Sequence, residues 1–235
     1  MIMDWPLTHG RVMNINVKAD VKLLTKGLNK IQKKQIPFAT SKALNTLAFD
    51  VRKTLQDVLP KYLDRPTPYT IRGVQVEKST KKKLVSKVGF RSRTFGKGQG
   101  SVPQADYMEL QIKGGTRKPK GRAIPVPVPK NMKTNKFGNI VKGRINKLLS
   151  DKDKYFSGIP KGMDMGPSEA GIWQRMPANS KRKKPGGKIR MVIAWEDKAQ
   201  YQPRFPFKKL VSKTIKTNFK LRMESSLKQA LKSAR

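Results

Sequence analysis

Cysteine is absent from the 235 residues, histidine occurs once, and acids are scarce: 15 Asp and Glu stand against 53 Lys and Arg. Each shortage closes a class of chemistry. Without cysteine there is no disulfide, no thiolate metal site and no Cys nucleophile. The lone His9 speaks against a His-based catalytic triad and against a multi-His metal centre. No apolar run approaches the ~20 residues of a membrane span, and the start, Met1-Ile-Met-Asp-Trp-Pro6, lacks the apolar stretch of a secretory signal. The expected setting is a reducing cytoplasm, or an assembly built there. Hydrophobic residues make up 36% and aromatics 7%, so the expected core is modest.

Positive charge is what the chain has in excess. The formal net charge is +38, about one uncompensated cation every six residues. A net charge of about 2–8 suffices for solubility, and larger values add self-repulsion that opposes folding. A polyanionic partner, either a nucleic acid or an acidic protein surface, is therefore expected to offset it. The competing reading is disorder, because low hydrophobicity and high net charge oppose collapse. Periodic segments argue against disorder at the two ends and leave it open in the middle.

Residues 12–18 alternate apolar and polar, which predicts a short half-buried strand. Asp20 precedes Val21, Leu23, Leu24, Leu28 and Ile31, the spacing of an N-capped amphipathic helix. After Pro37 the cleanest periodicity in the chain predicts a helix over 37–59. Its stripe is Ile36, Ala39, Ala43, Leu44, Leu47, Ala48, Val51, Leu55, Val58 and Leu59. Three alanines in that stripe suit close approach by a neighbouring helix. Strand-like runs at 69–77 and 83–91, joined by Lys78-Ser-Thr-Lys-Lys82, predict a hairpin with an exposed basic tip. From 113 to 187 Gly, Pro, Lys and Arg dominate, predicting a loop-rich basic segment with brief ordered pieces at 124–128, 140–149, 155–156 and 171–176, and expected to order on assembly. A strand at 188–196 and a helix over 206–233 close the chain. Ten basic residues and one acid, Glu224, lie between Arg204 and Arg235, so the polar face of this last helix is almost purely cationic. Strands clustered between helices favour a single α+β domain, an antiparallel sheet packed with the two long amphipathic helices.

Catalytic signals are weak. Asp151/Asp153, Asp164/Glu169 and Glu196/Asp197 are the closest groupings of acids, and a two-metal nuclease needs several carboxylates converging on one site. Gly96-Lys-Gly-Gln-Gly100 lacks the spacing of a phosphate loop and no helical pattern follows it. No catalytic residue, cofactor or metal site is expected. The basic clusters Arg117-Lys118-Pro-Lys120-Gly-Arg122 and Lys181-Arg182-Lys183-Lys184 lie in Gly/Pro-rich loops, where long cations can reach phosphates without reading sequence. Each of these clusters is also compatible with a plain solvated charge run. Tyr155, Phe156 and Trp173 are expected in core packing rather than stacked on bases. Ala39, Ala43, Leu47 and Val51 of the first helix, with Phe207, Val211, Ile215 and Phe219 of the last, are the candidate packing surface toward a partner or second subunit.

The order of these features resembles the minor tail protein Z family, the tail-completion proteins of long-tailed phages and prophages. The resemblance rests on Ile36-Pro-Phe-Ala-Thr-Ser-Lys-Ala-Leu-Asn45, on Tyr107 with Gly114-Gly115, and on Ala123-Ile-Pro-Val-Pro-Val128. It continues through Tyr155-Phe-Ser-Gly158, Gly171-Ile-Trp-Gln-Arg175 and Tyr201-Gln-Pro-Arg-Phe-Pro-Phe207, spanning about 36–233. It implies a structural virion protein, not an enzyme, located in the tail or neck and assembled in the host cytoplasm. Implied partners are the tail terminator, the head–tail connector, further copies in a ring expected at six, and DNA facing the basic loops, with no membrane. The alternatives are a non-virion, sequence-independent DNA-binding protein and, more remotely, a metal-dependent DNA-processing enzyme.

Overall fold

A computed structural model describes residues 2–4, 14–18, 30–95, 102–160, 170–176 and 188–233. The expected helix from Asp20 lies mostly outside these residues, as do the 96–100 glycine loop, Asp164, Glu169 and the 181–184 cluster. The protein is α+β, and among the described residues every strand pairing is antiparallel. The chain divides into two compact units, Met1–Gly114 with Gln202–Arg235, and Gly115–Tyr201.

The first unit contains β1 (Ile2–Asp4), β2 (Asn14–Lys18), α1 (Lys30–Tyr62), α2 (Pro68–Ile71), β3 (Val74–Glu77), β4 (Val85–Phe90), α3 (Gln104–Lys113) and α5 (Phe207–Lys232). Its sheet runs β1-β2-β4-β3. Leu44, Leu47, Leu55 and Leu59 of α1 join Val74, Val88 and Phe90 of the sheet, and Phe207, Val211 and Ile215 of α5, in one buried core. Each such side chain contributes about 1.5–3 kcal/mol on full burial. Phe90, Phe205 and Phe207 pack ring on ring with centroids 5.9–6.4 Å apart. Two contacts fix α1 and α5 as antiparallel neighbours. The Tyr62 ring at the end of α1 meets Phe205 just before α5, edge to face at 5.8 Å. About three turns back along α1, Asp50 takes both Arg222 Nε (2.7 Å) and a terminal guanidinium nitrogen (3.0 Å).

Three sequence expectations change here. Pro37 does not begin the helix: α1 runs through both Pro37 and Pro60. Proline forfeits a backbone bond, and burial of Ile36, Ala39, Ala43 and Leu59 holds the helix regardless. Residues 69–71 are helical rather than extended, because Thr67 caps the Thr70 amide and Pro68 sits in the first turn. The basic tip of the β3–β4 hairpin is only partly exposed. Ser79 is buried, donating its amide to Asn45 Oδ1 (2.7 Å) and its hydroxyl to the Ser41 carbonyl (3.1 Å). Lys78 and Lys81 lie over the Phe49 and Phe38 rings of α1.

The second unit holds β5 (Gly115–Arg117), β6 (Ile124–Pro127), α4 (Arg144–Ser150), β7 (Tyr155–Gly158), β8 (Gly171–Arg175), β9 (Ile189–Glu196) and β10 (Ala199–Tyr201). Its four-stranded sheet runs β6-β9-β8-β7, and β5 pairs with β10 in a separate ribbon. Pro125 and Pro127 are accommodated because β6 is an edge strand. A small core of Met132, Leu148, Ile172, Val192 and Ile193 lies in this unit, so the described part of the Gly/Pro-rich stretch is built around apolar side chains of its own. Trp173 is buried and donates its indole N–H to the Gly158 carbonyl (3.1 Å).

Candidate nucleic-acid interface

Arg117 ends β5, opposite Ala199 of β10, and Lys118, Lys120 and Arg122 follow in the turn toward β6; all four are exposed. The short ribbon fixes where the cluster starts. Lys198, also exposed, lies one residue before β10. Glu196, the last residue of β9, and Asp197, in the turn to β10, adjoin it, so this corner is cationic but not free of acids. Across its described residues, the second unit carries sixteen Lys and Arg against four acids. Among those residues Lys154 with Asp151 forms an ion pair (3.7 Å). The Arg175 guanidinium stacks on Phe156 at 4.7 Å and donates to the carbonyls of Lys152, Asp153 and Tyr155, which holds it in place against β7.

A second cationic surface lies on α5. Lys209, Lys213, Lys216 and Lys220 are exposed and follow one another at steps of four, three and four residues. That spacing puts them on one ridge about 16 Å long. Like charges at such steps repel, so the ridge weakens the helix it sits on unless an anion covers it. The opposite face of α5, with Phe207, Val211 and Ile215, is buried in the core.

The packing residues expected to meet a partner are occupied within the chain. Ala39, Ala43, Leu47 and Val51 of α1 and Phe207, Val211 and Ile215 of α5 are each at most 2% exposed. Phe219 packs against the same core. The amphipathic stripes face each other because the two helices come from one chain and close on themselves, which periodicity alone does not reveal. Toward its end α5 buries the small side chains Ser226 and Ala230 and leaves Leu221 and Leu231 exposed.

A cleft in the first unit escaped the sequence reading. Tyr69, Arg72, Arg91 and Gln104 line a hollow of about 300 Å³. Gln104 is 1% exposed; its amide donates to the Tyr69 carbonyl (3.0 Å), while its Oε1 meets no donor. Arg91 Nε is likewise buried without an acceptor. Leaving such an atom unpaired costs about 1–3 kcal/mol, more for a charged group. Gly73 makes the arrangement possible, since a Cβ there would lie 2.5 Å from Gln104 Cγ. Nothing near Gly73 in sequence signals the cleft, because Gln104 arrives from α3, thirty-one residues on.

Among the described residues no three His, Asp or Glu side chains come together, and no helix is long and apolar enough to cross a membrane. Comparisons with protein-family models, curated proteins and solved structures find no match to this chain.

Proposed function

We propose that this protein is a structural component of a phage or prophage virion that completes the head-proximal end of the tail and mediates head–tail joining, with its basic surface toward the genome end. The observation that carries the reading is the lysine ridge on α5, whose reverse face is locked into the core. A helix that buries one face and lines the other with like charge is suited to a fixed position against a polyanion. The exposed Arg117–Arg122 turn of the other unit supplies a second such surface. The ordered resemblance to tail-completion proteins over about 36–233 supports the virion setting, and with it a ring of copies between the tail terminator and the head–tail connector.

The test is biochemical and genetic together. The protein should sediment with assembled tails and, in their absence, bind duplex DNA with steep salt dependence and no sequence preference. A non-virion DNA-binding protein would bind DNA equally and leave tails alone. A metal-dependent nuclease would convert its DNA to fragments when magnesium is added.

A further inference from the structure

The cleft between α2, β4 and α3 points to a ligand with a more exacting chemistry than duplex phosphate. We infer that Tyr69, Arg72, Arg91 and Gln104 form a pocket for one unpaired nucleotide, the phosphate toward the arginines and the base toward Tyr69 and Gln104.

Each wall contributes a separate requirement. Arg72 and Arg91 both line the hollow and neither meets a carboxylate among the described residues, though Arg72 Nε donates to the Pro68 carbonyl (3.3 Å); two guanidinium groups on one small hollow favour an anionic ligand. Gln104 Oε1 is an acceptor without a donor, and a bare phosphate beside it would be repelled. The ligand must therefore bring a donor to Gln104 as well as an anion to the arginines. A base offers that through an exocyclic amine or ring N–H. Arg91 Nε, buried and unpaired, adds an acceptor requirement close by. Tyr69 is 41% exposed and its hydroxyl is tied to the Val102 carbonyl (2.9 Å), which leaves the ring held in position as a stacking surface. The volume of about 300 Å³ is at the lower end for small-ligand sites and far too small for a duplex. A peptide group could satisfy Gln104 and Arg91, but it would leave the second arginine and the fixed ring without a role.

This inference does not depend on the virion reading, since a free DNA-binding protein could use the same pocket. It is tested on the full-length protein at a salt concentration high enough to suppress binding to the basic ridge. Thermal protection and calorimetry would be measured with deoxycytidine and deoxyadenosine monophosphates, deoxyribose 5-phosphate, inorganic phosphate and a blocked Asp dipeptide. The expected result is saturable binding of the nucleotides at least tenfold tighter than deoxyribose phosphate or inorganic phosphate. Tyr69→Leu and Arg72→Gln, both at exposed positions, should weaken nucleotide binding tenfold or more while the ligand-free protein keeps one cooperative urea transition, its midpoint lowered only by the loss of the hydrogen bonds to the Val102 and Pro68 carbonyls. Equal binding of inorganic phosphate, protection by the dipeptide in place of the nucleotides, or undiminished binding in both variants would each overturn the inference.

Discussion

Gly73 and Gly171 show how single positions constrain this chain. At Gly73 a Cβ would crowd three side-chain carbons of Gln104, 2.5–2.9 Å away. Gly73→Ala should therefore destabilise the protein by about 1–3 kcal/mol, read as a lower urea midpoint, with the overpacked Gln104 displaced from the cleft. At Gly171 the added carbon would strike the Ile193 carbonyl, a backbone atom that cannot move aside. Tyr107 offers a test by pH. Burial raises its hydroxyl pKa above the ordinary 10.0, opposed in part by its 3.0 Å hydrogen bond with Thr70. The unfolded chain then loses this proton first as pH climbs. The stability tied to neutral Tyr107 is complete below about pH 10 and is lost as pH rises through the higher folded value. Urea unfolding of wild type and Tyr107→Phe at pH 9 and pH 11 should show the larger loss in wild type. An equal loss in both would place the alkaline sensitivity elsewhere.

At the scale of elements, the pairing of α1 with α5 is the main structural claim. Leu55 and Ile215 are both fully buried in the core that the two helices share with the sheet. Leu55→Ala or Ile215→Ala should each cost about 2–5 kcal/mol, measured by urea or thermal unfolding, whereas Leu221→Ala on the exposed face should change little. Asp50→Asn should also lower the melting temperature, by removing the charge and one of the two acceptor oxygens of a bidentate guanidinium contact between helices. The three- and four-residue spacing made the extent of α5 legible but only the central part of α1, which begins seven residues before Pro37 and runs past Pro60; β2, β3, β4, β6 and β9 were legible from alternation or short apolar runs, and β8 only as an ordered piece. The partner of each helix was not, because an apolar stripe is the same whether a second subunit or a distant part of the chain covers it. The helical turn at 68–71 was hidden inside a β-branched, aromatic run, where a Thr cap and a well-placed Pro outweighed strand propensity. The Arg117–Arg122 cluster was legible by composition, while the α5 ridge was legible only as a cationic face and the Tyr69–Gln104 cleft had no local signal at all.

For the whole molecule the controlling quantity is the net charge of +38. Every phosphate that a removed cation no longer neutralises should reduce the slope of log K against log salt by about 0.9 on duplex DNA. Replacing Lys209, Lys213, Lys216 and Lys220 together with Gln should therefore flatten the slope by up to ~3.6, as should the same change at Arg117, Lys118, Lys120 and Arg122. Either quadruple variant should remain folded, because all eight side chains are exposed; the α5 variant should even be more stable in low salt once the like-charge ridge is gone. Unchanged slopes would mean that these surfaces do not face DNA. The most direct measurement of the central claim is electron microscopy of the particles made when the coding sequence of this protein is deleted from the phage or prophage that carries it. The account predicts filled heads and separate, unjoined tails, restored to joined particles by supplying the protein in trans. Joined, infectious particles from the deletion would contradict it.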